Sequence, residues 1–403
     1  MSSAGFEGSG ENALPLTVLQ LVPRLEEGGV ERGAIEIAAA VTEAGGQALV
    51  ASEGGRLEPA LRRAGGRLVR LPMAGKGPLA ILRNIARLRE VLRDEAVSIL
   101  HARSRAPAWA GFFAARAERV PFVTTYHGAY SEGLPGKRLY NSVMARGRPV
   151  IAISGFIADL IRRRHRVAPE NIVTIPRGAD PALFDPDRVG ADRLAALFDA
   201  WGCDADPRPI LLLPARLTRW KGHIWLLEAA AELRDRAGGG RGSPTGAAPE
   251  FRIVCAGGDA QGEFAGEIRR RAERLGLARD VALVGPVADM PAALKLASAV
   301  VCPSLEPEAF GRAAVEAQAM RKPVIASDHG GARETVLPGE TGWLVPPGNV
   351  AALADALSTA LTLPEPDALR MGAAGRQRVV ERYSVSAMQT ATLALYRDLL
   401  AQR

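Results

Sequence analysis

Short apolar runs recur along the chain, and between them lie longer stretches in which apolar residues return every three or four positions. In the first half the runs are "LTVLQLV", "ALVAS", "RLVRL", "VSILHA", "PFVTTY", "PVIAIS" and "NIVTIP". In the second they are "PILLLPA", "FRIVCAG", "VALVG", "AVVCPS", "PVIAS" and "GWLVP". Such runs are apolar at almost every position, as strands covered on both faces must be. The stretches between, such as "VERGAIEIAAAVTEAG" and "IWLLEAAAELRDRAG", fit the covering helices. The pattern therefore predicts parallel sheets with helices on both sides. It breaks once, over residues 180 to 208, where Asp and Pro crowd together in "DPALFDPDRVG" and "CDADPRP". That break sets the boundary between two doubly wound α/β units near residue 200, giving domains over 14–200 and 201–382. The Gly-rich "AGGGRGSPTGAAPE" reads as a surface loop inside the second unit, and the closing "RYSVSAMQTATLALYRDLLAQR", from about residue 383 to 403, as a helix.

Composition agrees with two folded domains: 403 residues, 47% hydrophobic and 24% charged. A net charge of +7 favours anionic partners, whether phosphorylated substrates, glycolipids, nucleic acid or a membrane surface, and does not choose among them. Cys203, Cys255 and Cys302 have no partner at metal-ligand spacing and read as reduced thiols of a cytoplasmic protein. No apolar stretch approaches the roughly 18 residues of a membrane span, and the polar start "MSSAGFEGSGENALP" has no signal-peptide core. Any membrane contact is thus expected to be peripheral.

Doubly wound domains bind ligands beyond the carboxyl ends of their strands, so chemistry is sought there. Lysines number five, and one of them, Lys221, stands with Arg216 in "LLLPARLTRWKGH", between a strand and a helix. An ammonium and a guanidinium at this place can neutralise a diphosphate, and the helix opening at Gly222 adds free N–H groups. A solvated basic loop fits the same residues. In "PSLEPEAFGRAAVEAQAM", Glu308 stands ahead of a helix beginning near Gly311, and Glu316 lies in its second turn. Eight residues at helical rise separate the two by roughly 12 Å. That is too far for a glycosidase pair, whose carboxyls stand about 5 to 9.5 Å apart, and it suits two contacts on one long ligand. A surface helix with a glutamate before it is the plainer alternative.

"EPEAFGRAAVEAQAM" resembles the E-x7-E signature of retaining, GT-B-type glycosyltransferases of family four, the group that includes enzymes of bacterial lipopolysaccharide and glycan synthesis. "ARLTRWKG" is similar to that family's Arg-x4-Lys-Gly diphosphate motif. "GGVERGAIEIAAAV", "TTYHGAY", "AISGFIADLI" and "GGARETVLPGETGWLVPPGN" match further blocks in the family's order, from residue 16 to the end. The resemblance implies two Rossmann-like domains facing across a cleft, with the last helix packing back on the first domain. It implies that Arg216 and Lys221 hold the donor diphosphate and that Glu308 meets the sugar hydroxyls beside the backbone of Phe310 and Gly311. Glu316 is assigned the ribose, and Val287 the base pocket. Gly28 and Gly29 give close backbone approach to donor and acceptor, and His127 lies near the reacting centre. The implied reaction moves a sugar from a UDP or GDP donor to a hydroxyl of a glycan or glycolipid, with retention and no metal or other cofactor. The one "DAD", Asp204 to Asp206, sits in the Pro-rich linker, where turn chemistry accounts for it.

On the acceptor side, "HARSRAPAWAGFF" puts His101, Arg103, Ser104 and Arg105 on an expected loop. "PLAILRNIARLREVLRD" carries a stripe of Leu82, Ile85, Leu88 and Leu92 amid arginines, and "IRRRHR" adds charge. Docking on an anionic membrane at the inner face of the cell membrane fits these residues, as does a helix packed on its sheet. No nucleic acid is expected as partner. The chain lacks G-x-G-x-x-G after a strand, G-x-S-x-G and a Walker A loop. What remains beside transfer is a nucleotide-sugar epimerase of the same fold, or a non-catalytic sugar-nucleotide or glycolipid-binding protein.

Overall fold

The computed structural model describes residues 16–26, 28–130, 132–202, 208–237 and 250–402. Cys203, the pair Asp204 and Asp206, most of the Gly-rich segment and the amino-terminal tail lie outside the described residues. Each apolar run of the sequence forms a strand. These are β1 (Thr17–Leu21), β2 (Gln47–Ser52), β3 (Arg67–Arg70), β4 (Ile99–Ala102), β5 (Phe122–Tyr126), β6 (Val150–Ala152) and β7 (Ile172–Thr174). The later ones are β8 (Ile210–Pro214), β9 (Arg252–Ala256), β10 (Val281–Gly285), β11 (Ala299–Cys302), β12 (Val324–Ser327) and β13 (Gly342–Val345).

They form two sheets, one in the order β3-β2-β1-β4-β5-β6-β7 and the other β10-β9-β8-β11-β12-β13. In the first, β1 lies parallel between β2 and β4. In the second, β8 lies parallel between β9 and β11, with β12 and β13 continuing in the same sense. Strands this thoroughly covered are buried along their length, as β1, β4 and β5 are at every position. In the second sheet the core gathers Leu211, Leu213, Ile253, Val301 and Ile325 with Trp225, Leu226 and Leu353 from the flanking helices. Each sheet is Rossmann-like, and the order reverses between β1 and β4 in one and between β8 and β11 in the other. A crevice opens at such reversals because the connections leave in opposite directions.

By contact the chain divides into two compact units. The first takes the chain up to Ile151, then His165–Val173, then Gln389 onward; the second takes Ala152–Arg164 and Thr174–Met388. The Asp- and Pro-dense stretch from 180 to 201 thus belongs with the second unit. The last helix, Val385–Ala401, begins in the second unit and ends in the first. Its first-unit part is fastened at Tyr396, whose hydroxyl meets His101 Nδ1 at 2.5 Å, and at Gln389, whose amide donates to the Glu36 carbonyl at 2.7 Å.

Candidate functional site

In the second unit the switch point brings together the loops that follow β8 and β11. The β8 loop carries Arg216 and Lys221; the β11 loop carries Ser304 and Glu308. A single glycine sets how closely they approach. Gly222 has φ +78°, and a Cβ there would lie 1.8 Å from the Pro303 carbonyl oxygen. Only glycine permits both the left-handed backbone and that approach. The Leu305 N–H then donates to the Trp220 carbonyl at 2.6 Å, tying one loop to the other.

Lys221 and Glu308 meet across this junction. Lys221 Nζ donates to Glu308 Oε1 at 2.8 Å, and Ser304 Oγ donates to the same oxygen at 2.5 Å. The Lys221 ammonium also lies 4.2 Å from the centre of the Trp220 ring. The two charged side chains are only 16% and 20% exposed, so the pair is partly withdrawn from water. The Cys302 thiol at the end of β11 is pushed up to about 12, first by burial, and it feels the charges of Glu308, Lys221 and Glu316. Lys221 and Glu308 thus meet beside this strand end, and the helix that carries Glu316 packs against the strand.

Glu308 is held through its backbone as well. Its carbonyl accepts from Gly331 N–H at 2.8 Å, and a Cβ on Gly330 or Gly331 would strike Glu308 O at 2.4 Å or Phe310 Cα at 2.5 Å. Phe310 is buried edge-on against Tyr383, and Ser154 Oγ donates to the Ala309 carbonyl at 2.6 Å. The loop ends at Gly311, which caps the helix Arg312–Ala319 in a left-handed conformation. Glu316 stands in that helix and accepts from Arg312 Nε at 2.7 Å. Arg216 is exposed on its loop, which closes against Gly257 and Gly258: Cβ atoms there would meet Ala215 O at 2.7 Å and Leu217 N at 2.5 Å. Val287 is partly buried after β10.

The first unit carries the rest of the expected set. Gly28, at φ +149°, caps the helix Gly29–Glu43 after β1, and His127 follows β5. Ser104 caps the helix Arg105–Glu118 without a side-chain bond. Arg105 is half-buried; it donates to Asn141 Oδ1 at 2.9 Å and lies 4.4 Å from the centre of the Tyr130 ring.

Two acceptor-side expectations need correction. His101 and Arg103 are not on an open loop. His101 is inside β4, fully buried, with its second ring nitrogen 2.7 Å from Thr125 Oγ1, and burial drives its pKa well below the usual value. Arg103 is 3% exposed and donates to Gln20 Oε1 at 2.6 Å. Both are spent on an internal network that leaves no face for an acceptor. The stripe on the helix Pro78–Asp94 is also shorter than expected. Leu88 and Leu92 are buried, while Leu82 is 62% and Leu79 70% exposed.

Sequence reasoning passed over Ser304, Ser327, His329, the Gly257–Gly258 pair and Glu334, whose carboxylate accepts from Gly155 and Phe156 N–H at 2.8 and 2.7 Å. For Ser327, His329 and Glu334 the available signal was the stretch "SDHGGARE", in which the apolar run "PVIAS" ends. Among the described residues no three His, Cys, Asp or Glu side chains cluster at metal-binding distance, and no helix is long and apolar enough to cross a membrane.

Two family models match the chain: glycosyltransferase family 4 over residues 27–183 and glycosyl transferases group 1 over residues 204–378. The chain is 30% identical over 340 residues to the alpha-maltose-1-phosphate synthase of Mycolicibacterium smegmatis, covering 78% of this chain and 83% of that protein. Among solved structures, a glycosyltransferase from Rickettsia africae superposes with a TM-score of 0.85 at 32% identity, covering 96% of this chain and 99% of that one. Anabaena HepE in complex with UDP-glucose superposes with a TM-score of 0.77 at 23% identity, over 96% of this chain and 100% of its own.

Proposed function

The chain belongs to the family 4, group 1 glycosyltransferases, and within that family we propose that it transfers a sugar from a UDP or GDP donor to a hydroxyl of a cell-envelope glycan or glycolipid, with retention. The carrying observation is the Lys221–Glu308 pair at the switch point of the second sheet, with Arg216 on the same loop as Lys221 and Glu316 on the helix packed against β11. A diphosphate set beside Arg216 and Lys221 finds two cations and the open ends of two loops. Glu308, placed one loop over, accepts hydrogen bonds from the sugar, and Glu316 from the ribose. UDP-glucose bound to HepE, a protein of the same fold, makes this ligand class the natural one to try.

In the transfer, the bond from the anomeric carbon to the diphosphate oxygen breaks, and its electron pair stays on the diphosphate. The acceptor oxygen bonds to the anomeric carbon on the face the diphosphate leaves, and its proton passes to the departing phosphate. Arg216 and Lys221 stabilise the charge that accumulates there, which in such sites is worth on the order of 10² to 10³ in rate per group. No metal is assigned to the step. The test is a panel of UDP and GDP sugars with glycan and glycolipid acceptors. The expected result is transfer with retained anomeric configuration by proton NMR, and loss of about 100-fold or more in kcat for Lys221→Ala. Isomerised donor without acceptor would favour an epimerase, and inverted product would overturn retention.

A second element of the reading concerns location. Leu79 and Leu82 project beside the exposed Lys76, Arg83 and Arg87 at the start of the helix Pro78–Asp94. Exposed leucines among cations fit peripheral docking on the anionic cytoplasmic face of a membrane. Flotation with anionic vesicles, weakened by salt and by Leu79→Ser with Leu82→Ser, is the expected result; no binding at low salt would remove the idea.

A further inference from the structure

Beside Glu308, at the carboxyl ends of β11 and β12, is a notch whose polar lining is Ser304, Glu308, Ser327 and His329. Its free space, about 10 Å³, admits one group the size of a water. Small residues keep it open: Ala314, Ala326 and Ala332 line it, and Gly311 stands at its edge. Ser304 is committed to Glu308 and Glu308 to Lys221, but the side chains of Ser327 and His329 are not committed to anything among the described residues. Ser327 is 1% exposed and its Oγ has no hydrogen-bond partner among the described residues; nor has either ring nitrogen of His329. Elsewhere in proteins buried polar atoms are nearly always paired, and unpaired ones at a site ask for an explanation.

The chemistry of the lining selects the guest. A serine hydroxyl and an imidazole each present one donor and at least one acceptor, which matches a group that itself donates and accepts. A carboxylate in the notch would face Glu308, and a cation is not called for because Lys221 already answers that charge at 2.8 Å. An uncharged hydroxyl satisfies all of these conditions.

We propose that the notch is a hydroxyl-reading subsite, in which Ser327 and His329 bind one hydroxyl of the donor's glycosyl group beside Glu308 and so discriminate among donor sugars. This rests on the second unit being a nucleotide-sugar site. It assigns to Ser327 and His329, outside the E-x7-E loop, a share in sugar specificity.

The experiment takes the full chain, finds which of UDP-glucose, UDP-galactose and GDP-mannose it turns over fastest, and compares that donor with its 2-, 3-, 4- and 6-deoxy analogues. The comparison is made in the wild type, Ser327→Ala, His329→Ala and the double variant. In the wild type one deoxy position is expected to lose about 10- to 100-fold in kcat/KM. In the double variant that ratio is expected to fall to within about 3-fold, with the ratios at the other positions unchanged. Ser327→Ala, which deletes an unpaired oxygen, should leave the ligand-free melting temperature unchanged or raise it, so a lost preference in this variant is not misfolding. Wild-type indifference to all four deletions, or ratios identical in wild type and double variant, would overturn the subsite and leave the notch to an ordered water. Failure of every nucleotide sugar to bind or react would instead strike the site assignment itself.

Discussion

Replacing Gly222 by Ala tests the claim that one backbone approach assembles the site. The new Cβ would stand 1.8 Å from the Pro303 carbonyl oxygen, and contacts of this kind essentially never fall under 3.0 Å, so the two loops must part by more than an ångström. The left-handed backbone at φ +78° adds a penalty of about 1 kcal/mol for any residue with a Cβ, and overpacking against fixed backbone adds about 1–3 kcal/mol. Together these predict a loss of about 2–4 kcal/mol in the second unit, or roughly 5–15 °C in its calorimetric transition. The control is Gly276→Ala, at φ +68° with nothing within 4 Å of a Cβ, which should show the backbone penalty alone. Because parting the loops also separates Lys221 from Glu308, kcat/KM should fall about 100-fold in Gly222→Ala and stay near normal in Gly276→Ala. If the two variants melt alike, the close approach does not constrain the loops and the reasoning fails.

Tyr396→Phe, which strands the buried His101 Nδ1, should destabilise the first unit by about 1–3 kcal/mol, read as a lower urea midpoint. His223 is 1% exposed, and burial lowers its pKa from 6.5 to about 4. The unfolded chain therefore takes its proton first as pH falls, so the related stability is whole above pH 6.5 and declines below it. The decline should be about 2 kcal/mol between pH 7 and pH 5, and His223→Gln should flatten it. His101 shifts in the same direction. Transfer activity should survive EDTA; complete loss on chelation, restored by Mn²⁺, would show that a metal was overlooked.

Periodicity sufficed for the strands, because a strand buried on both faces must be apolar almost throughout, and short runs such as "ILLLP" or "AVVC", set between helical stretches, fit that place. It did not reveal partners. Lys221 and Glu308 stand 87 residues apart, and the sequence assigned them to different parts of a ligand. They meet because β8 and β11 are neighbours, a fact of strand order that local pattern does not carry. His101 misled for a related reason. It stands near the carboxyl end of the run "VSILHA", where a polar side chain reads as facing a ligand, whereas its hydroxyl partner comes from a tyrosine 295 residues later. Ser327 and His329 were silent because single polar residues at the end of a strand or just past it are common, and their lack of partners appears only in three dimensions.

The last helix has a consequence for how the molecule is made. Tyr396 is completely enclosed in the first unit, yet it is made 295 residues after the His101 it meets. The first unit therefore stays incomplete until the segment Thr174–Met388 of the second has been made, and until this helix arrives β4 keeps an imidazole inside without its phenol. A stop codon shortly before Gln389 would therefore harm the opening half of the chain more than the half in which the truncation falls.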